Sequence, residues 1–222
     1  DRPLASLTYY ASHPQVSFGK GLPTPDFVGL ARERRQKETG VFQIYFTGAG
    51  GNVNLGKYND GSDRAREEFT GRMLDAMRRA SAATERFALT PADVEWRTTD
   101  ISLPAKYGAF KDEARAVAAD TARPSKDRIA AIGKYVRAQA LEDGTTLAAL
   151  RLRQDYAVYL PGELFVEYQL GAQAIRPKNF VATASYGEQY AYIGTEKSYG
   201  EGGYEITVSF TTLAAEKVIM DG

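Results

Sequence analysis

The 222-residue chain has no cysteine, a single histidine and a single tryptophan. Without cysteine it has no disulfides, no thiolate nucleophile and no Cys-ligated zinc. With one histidine, a zinc site inside this chain has to draw on carboxylates or less usual ligands. Charge of either sign is not in excess: 28 Lys and Arg balance 28 Asp and Glu. That argues against a dedicated nucleic-acid binder, which carries a basic surplus. No apolar run approaches the roughly 18 residues of a membrane-spanning helix. The opening residues, Asp1-Arg2-Pro3-Leu4, lack the charged and then apolar run of a signal peptide. Internal repeats and low-complexity tracts are missing too. What is present is 43% hydrophobic and 25% charged residues. This is a globular composition that excludes a disordered chain. The reading is a single domain over 1–222, long enough to bury about 70% of its unfolded surface.

Strand and helix signals alternate along the chain, the pattern of an α/β domain. Leu4 to Ala11 reads as a strand. Thr24-Pro25-Asp26 opens a helix that turns Phe27, Leu30 and Ala31 inward and ends at Gly40. Val41 to Phe46 reads as a strand buried on both faces. Ser62 caps the next helix, on which Phe69, Met73, Met77 and Ala80 form an apolar stripe. Val94 to Leu103 is a strand pair or one bent strand. Helices follow near 108–120 and 125–142, the second lined by Ile129, Ile132, Val136 and Ala140. Segment 111–128, rich in alanine and charge, is a solvated helical face. Leu150 to Leu160 is strand-like and is broken by Pro161-Gly162-Glu163. A helix over Leu164 to Ile175 comes next, then strands at Phe180 to Ala184, Tyr190 to Ile193 and Ile206 to Phe210.

Four places hold residues suited to chemistry. His13 follows the first strand, where α/β sheets tend to place their active sites. A lone histidine also serves as a structural hydrogen-bonder or a surface residue. Gly48-Ala49-Gly50-Gly51-Asn52-Val53-Asn54 follows a strand. The N–H groups of Gly50, Gly51 and Asn52 could form an anion-binding nest, or the glycines could simply allow a tight turn. No Gly-Lys-Ser/Thr closes this turn, so a Walker-type phosphate loop is a poor reading. Glu163 offers a carboxylate at a sheet edge, or serves a helix N-terminus. Tyr204, in Gly200-Glu201-Gly202-Gly203-Tyr204-Glu205, projects at the start of a strand or packs beside a hairpin turn.

The order of these motifs resembles the neutral/alkaline non-lysosomal ceramidase family, specifically the C-terminal half of its catalytic domain. The residues that carry it are Ala11-Ser12-His13-Pro14, Pro25-Asp26-Phe27-Val28-Gly29, Phe46 to Asn54, Leu160-Pro161-Gly162-Glu163 and Gly202-Gly203-Tyr204-Glu205. The similarity runs from about Leu4 to Phe210 and is least distinctive over roughly 85–145. It implies mixed β-sheets layered with helices. It also implies a zinc-dependent hydrolase of an amide bond in an N-acyl, lipid or related, substrate, with metal-bound water as nucleophile. His13, Glu163 and Tyr204 are then the zinc ligands. Gly50, Gly51 and Asn52 become oxyanion or substrate donors, and Asp26 either joins the surroundings of the metal or serves as a helix N-terminal carboxylate. Zinc suits such ligands and activates water and carbonyl alike.

Two departures shape the expectation. The family carries serine in a Gly-Asp-Val-Ser-Pro-Asn motif, where this chain has Gly51-Asn52-Val53-Asn54-Leu55-Gly56. An amide cannot act as that nucleophile, so Asn54 is assigned to stabilising the carbonyl or oxyanion. The family's other zinc histidine has no match here. The chain reads as starting in mid-domain, which implies a complementary N-terminal segment or chain as partner. Family members imply a secreted or periplasmic location, with no nucleic acid and no transmembrane segment. The competing readings are a non-catalytic ceramidase-like binding or assembly module, and an unrelated α/β enzyme with a phosphate-binding glycine turn.

Overall fold

The computed structural model describes residues 3–21, 23–107, 110–187 and 191–222. In chain order, β1 (Ala5–Tyr10), α1 (Asp26–Thr39), β2 (Phe42–Thr47) and α2 (Asp63–Ala82) form a first layer. β3 (Val94–Ile101), α3 (Lys111–Ala119), α4 (Ser125–Asp143), β4 (Thr145–Leu152) and β5 (Asp155–Tyr159) follow. Then come β6 (Glu163–Leu164), α5 (Val166–Ile175), β7 (Val181–Ala184) and β8 (Tyr192–Ile193). The chain closes with α6 (Glu196–Glu201), α7 (Tyr204–Val208) and α8 (Ala215–Asp221). The mixed α/β class read from the sequence is what the structure has.

β1 and β2 pair in parallel, from Ala5 against Phe42 to Tyr10 against Thr47. Parallel neighbours need a crossover, and α1 supplies it. The helix stops at Gly40, whose φ of 64° suits glycine in the left-handed region. Ser62 caps α2 by accepting from the Ala65 N–H at 3.0 Å. α1 and α2 bury Phe27, Ala31, Met73, Leu74 and Met77 together with Val16 and Leu55. The second sheet has the order β3-β4-β5-β7, its last pair parallel. A small parallel pair, β6 with β8, sets Glu163 opposite Tyr192. Its residues Leu164 and Ile193 are fully buried in a core with Leu141, Phe165, Tyr168, Ala215 and Ile219.

Several expectations are corrected. Leu150 to Leu160 is not one strand. It is the hairpin of β4 and β5, turning at Arg153, whose φ is 57°. Val94 to Leu103 is a single strand that ends at Ile101. Ile206 to Phe210 is no strand, although β-branched residues favour one. Gly203 O accepts from both the Thr207 N–H and its hydroxyl, and this winds α7 instead. In β2 only Gln43 is buried, and Phe42 is exposed, because among the described residues its sheet has two strands. On α4 the buried stripe is Ala131, Ala138 and Leu141, while Ile129, Ile132 and Val136 face outward. Both stripes fit a helical period, and the small alanines let neighbouring elements approach more closely than isoleucines would. Tyr190, at the start of one expected strand, lies outside the described residues, as do residues 108–109 of an expected helix.

Candidate active site

His13 stands three residues beyond β1, at the C-terminal end of the first sheet. Its backbone N–H donates to the Val53 carbonyl at 3.3 Å. Its ring Nδ1 lies 3.0 Å from the same oxygen. A carbonyl can only accept, so Nδ1 carries a proton and donates to it. Nε2 is then the free nitrogen of the neutral ring. That nitrogen is 3.3 Å from Glu163 Oε2 and 3.4 Å from the Tyr192 hydroxyl. The Tyr186 hydroxyl donates to the same Glu163 oxygen at 3.4 Å. Outside this group, the Tyr204 ring meets the Tyr192 ring edge-on, with centroids 6.1 Å apart. The His13 and Glu163 side chains keep 15% and 25% of their accessibility, shielded yet reachable.

The turn that presents Glu163 is clamped from two sides. The Tyr186 N–H and the Ser185 hydroxyl both donate to the Gly162 carbonyl, at 2.9 and 2.5 Å. Tyr186 holds φ at 65°, a conformation costly for a tyrosine. The Ser185 N–H donates to Thr47 O at 2.8 Å and so ties this turn to the end of β2.

The glycine-rich turn acts as a weld. The Gly48 N–H donates to Tyr10 O at 3.0 Å, and the Gly51 N–H donates to Leu164 O at 2.8 Å. Gly51 therefore has its donor committed to β6 and cannot offer it to an oxyanion. The Asn52 side chain is engaged elsewhere. Its Oδ1 accepts from the Val166 N–H at 2.8 Å, and its Nδ2 donates to Glu167 at 2.9 Å. It thus serves the N-terminus of α5. Gly50 packs its backbone against Ser12 and lies beside the His13 ring. Asn54 is exposed, one residue past Val53. Its carbonyl oxygen accepts from Gly56 N–H at 3.4 Å.

The hydrogen bond to Glu163 raises the His13 pKa above its ordinary 6.5, outweighing the lowering effect of burial. Burial, followed by the Glu163 charge, pushes Tyr192 up to about 12. In the metal-free protein the charged His13–Glu163 pair stabilises the fold fully below pH 6.5, the unfolded value. That contribution is lost as pH rises through the higher folded value. With one histidine in the chain, its ring protons titrate alone in an NMR spectrum. The midpoint is expected above 6.5 in the metal-free protein and nearer 6.5 in Glu163→Gln. Equal midpoints would exclude the pairing.

No family model matches the chain, and no curated protein matches it. Among solved structures, neutral ceramidase from Pseudomonas aeruginosa matches with a TM-score of 0.69 over 98% of this chain, at 14% identity. A second structure, ceramidase complexed with C2, also has a TM-score of 0.69 over 98%, at 12% identity. The chain has the fold of part of neutral ceramidase. It spans 42% and 44% of those two chains, well under half of each. The resemblance carried by the motifs is thus matched in backbone architecture.

Within this ceramidase fold, His13 and Glu163 come together from positions 150 residues apart. Tyr204 heads α7, and 68% of the residue is exposed. Tyr192 is the tyrosine that the fold sets beside His13. Neither Tyr192 nor Tyr186 stands out in the sequence, being two among 14 tyrosines. The signal that finds Tyr192 is the pairing of β6 with β8, which is tertiary. Asp26 is buried but does not meet His13. It accepts from Ser17 N–H at 3.1 Å and Phe27 N–H at 2.7 Å, and so pins the 14–21 loop to α1. Among the described residues no three His, Cys, Asp or Glu side chains form a metal group. The cluster is one histidine, one glutamate and two tyrosines. No helix among the described residues is long and apolar enough to cross a membrane.

Proposed function

We propose that this chain supplies part of the active centre of a zinc-dependent hydrolase, which cleaves the amide bond of an N-acyl compound. His13, Glu163 and Tyr192 are the donors. The observation that carries the reading is their spacing. His13 Nε2 stands 3.3 Å from Glu163 Oε2 and 3.4 Å from the Tyr192 hydroxyl. A charge-assisted N–H···O⁻ bond closes to about 2.7–2.9 Å. Two ligands of one tetrahedral zinc, with bonds of about 2.0–2.2 Å, sit about 3.3–3.5 Å apart. The imidazole also has the support that metal-bound histidines usually have, its other nitrogen donating to a backbone carbonyl. The donor chemistry therefore fits zinc.

When bound, zinc supplies Lewis acidity toward the amide carbonyl and a nucleophilic water near neutral pH. The chain's own residues do the rest. Val53 fixes the tautomer and the ring plane of His13. Tyr186 holds the Glu163 carboxylate. Tyr204, exposed beside Tyr192, is assigned to donate a hydrogen bond to substrate. Asn54, exposed one residue past Val53, is assigned to the carbonyl oxygen. The remaining ligand comes from a complementary segment or chain, and the motif resemblance favours an exported protein.

The test is metal content of the protein isolated with any co-purifying polypeptide. About one zinc per assembly is expected. Tyr192→Phe should weaken zinc binding by more than ~100-fold, because losing a ligand costs more than the about 10–100-fold of losing a supporting group. Tyr204→Phe should keep the zinc and lower turnover of N-acyl amides. Zinc lost on Tyr204→Phe but kept on Tyr192→Phe would restore Tyr204 as the ligand. An assembled protein without metal would point instead to the binding module.

A further inference from the structure

Beside β1 runs a groove of about 740 Å³. One wall is the C-terminal half of α2, with Met73, Met77 and Ala80. The opposite wall is Arg153 and Phe180, at the ends of β5 and β7. The floor is β1 itself, from Ser6 to Tyr10. Among the described residues β1 has one strand partner, β2. The Tyr10 carbonyl accepts from Gly48 N–H on the β2 side. Amide groups alternate sides along a strand, so Ser6, Thr8 and Tyr10 serve β2. Ala5, Leu7 and Tyr9 direct their N–H and C=O groups away from β2, and Leu7 and Tyr9 line the groove. A six-residue edge of about 20 Å, with Met73, Met77 and Ala80 on one side and Arg153 and Phe180 on the other, is a template for strand addition.

We infer that this groove receives a β-strand from the polypeptide that completes the ceramidase fold, hydrogen-bonded to Ala5, Leu7 and Tyr9. Two observations select that occupant. The chain spans only 42–44% of the ceramidase structures whose fold it shares, so most of that fold's polypeptide is not in it. A two-stranded parallel sheet leaves Leu7 49% and Tyr10 48% exposed, whereas parallel sheets are ordinarily covered on both faces and continued at their edges. The inference rests on the proposed function in one respect. β1 leads directly to His13, so an added strand has one end beside the proposed metal ligands, where a further ligand is needed.

The test is hydrogen exchange on the protein isolated with all polypeptide bound to it, with zinc content and native mass measured on the same sample. The Ala5, Leu7 and Tyr9 amides should exchange at least ~100-fold more slowly than in an unpaired edge, like those of Thr8 and Tyr10. Leu7→Pro removes one outward N–H and leaves the β2 ladder intact, as proline on an edge strand does. It should release the partner segment from the groove and expose Ala5 and Tyr9, with Thr8 still protected. Leu7→Val should change nothing. Fast exchange at Ala5, Leu7 and Tyr9 in the isolated assembly would overturn the inference. So would a native mass showing a second copy of this chain as the only partner. Protected edge amides in a zinc-free assembly would sink the metal reading alone. A zinc-bound assembly with a rapidly exchanging β1 edge would sink the strand alone.

Discussion

His13→Ala is expected to abolish zinc binding, by more than ~100-fold in affinity, and hydrolysis with it. The substitution removes Nε2, the nitrogen facing both Glu163 and Tyr192. Loss of a supporting group alone costs metal sites about 10–100-fold, and loss of a ligand costs more. Stability separates this from unfolding. The His13–Glu163 pair is partly exposed, so without metal the variant should lose less than about 1 kcal/mol. A bound ion stabilises the wild type by RT ln(1 + [Zn]/Kd), about 2.7 kcal/mol at a hundredfold excess over Kd. In the variant that zinc-dependent rise in Tm should vanish. A variant that still melts higher with zinc, or still hydrolyses N-acyl amides, would sink the assignment.

Gly51→Ala should be nearly as damaging, although the Gly51 N–H is spent on the Leu164 carbonyl. A Cβ at this position would fall on the Glu163 carbonyl oxygen, well inside contact distance, and 3.0 Å from the Leu164 carbonyl oxygen. Both obstacles are backbone, so neither can swing aside. The glycine turn would have to move off β6, breaking the 2.8 Å bond from Gly51 N–H to Leu164 O. Overpacking of this kind costs about 1–3 kcal/mol, or roughly 2–4 °C in Tm for each kcal/mol. The same shift carries Val53, which anchors His13, away from Glu163, and zinc affinity should fall at least ~10-fold. Gly56→Ala is the control, because nothing lies within 4 Å of its Cβ. It should stay within about 0.5 kcal/mol of wild type. A Gly51→Ala protein with unchanged Tm and zinc content would show that the turn is not a weld.

Local chemistry made much of the fold legible. Ser62 before a helical stripe, Gly40 after one, and Pro161-Gly162 after a strand each act within a few residues. Their consequences therefore survive without knowledge of the rest of the chain. The errors came where two periodic solutions competed. On α4 the larger side chains Ile129, Ile132 and Val136 suggest one face, while Ala131, Ala138 and Leu141 are the face that packs. Ile206 to Val208 favour a strand by propensity, and Gly203 turns them into a helix through two hydrogen bonds.

The site divides in the same way. The sequence by itself determined the scarcity that narrows the chemistry: no cysteine, one histidine and a glycine turn after the second strand. It also placed His13 beyond a strand and Glu163 in a turn, and the order of these motifs pointed to the ceramidase fold. Only the tertiary structure decided which groups meet. Glu163 reaches His13 across 150 residues, and Tyr192 joins them because β8 pairs with β6 in one register. The Gly51 N–H, which read as an oxyanion donor, is spent on β6, and the Asn52 side chain fastens the same turn to α5. A residue's type sets what it can donate or accept. Its partner is set by long-range packing, which a linear order of residues does not contain.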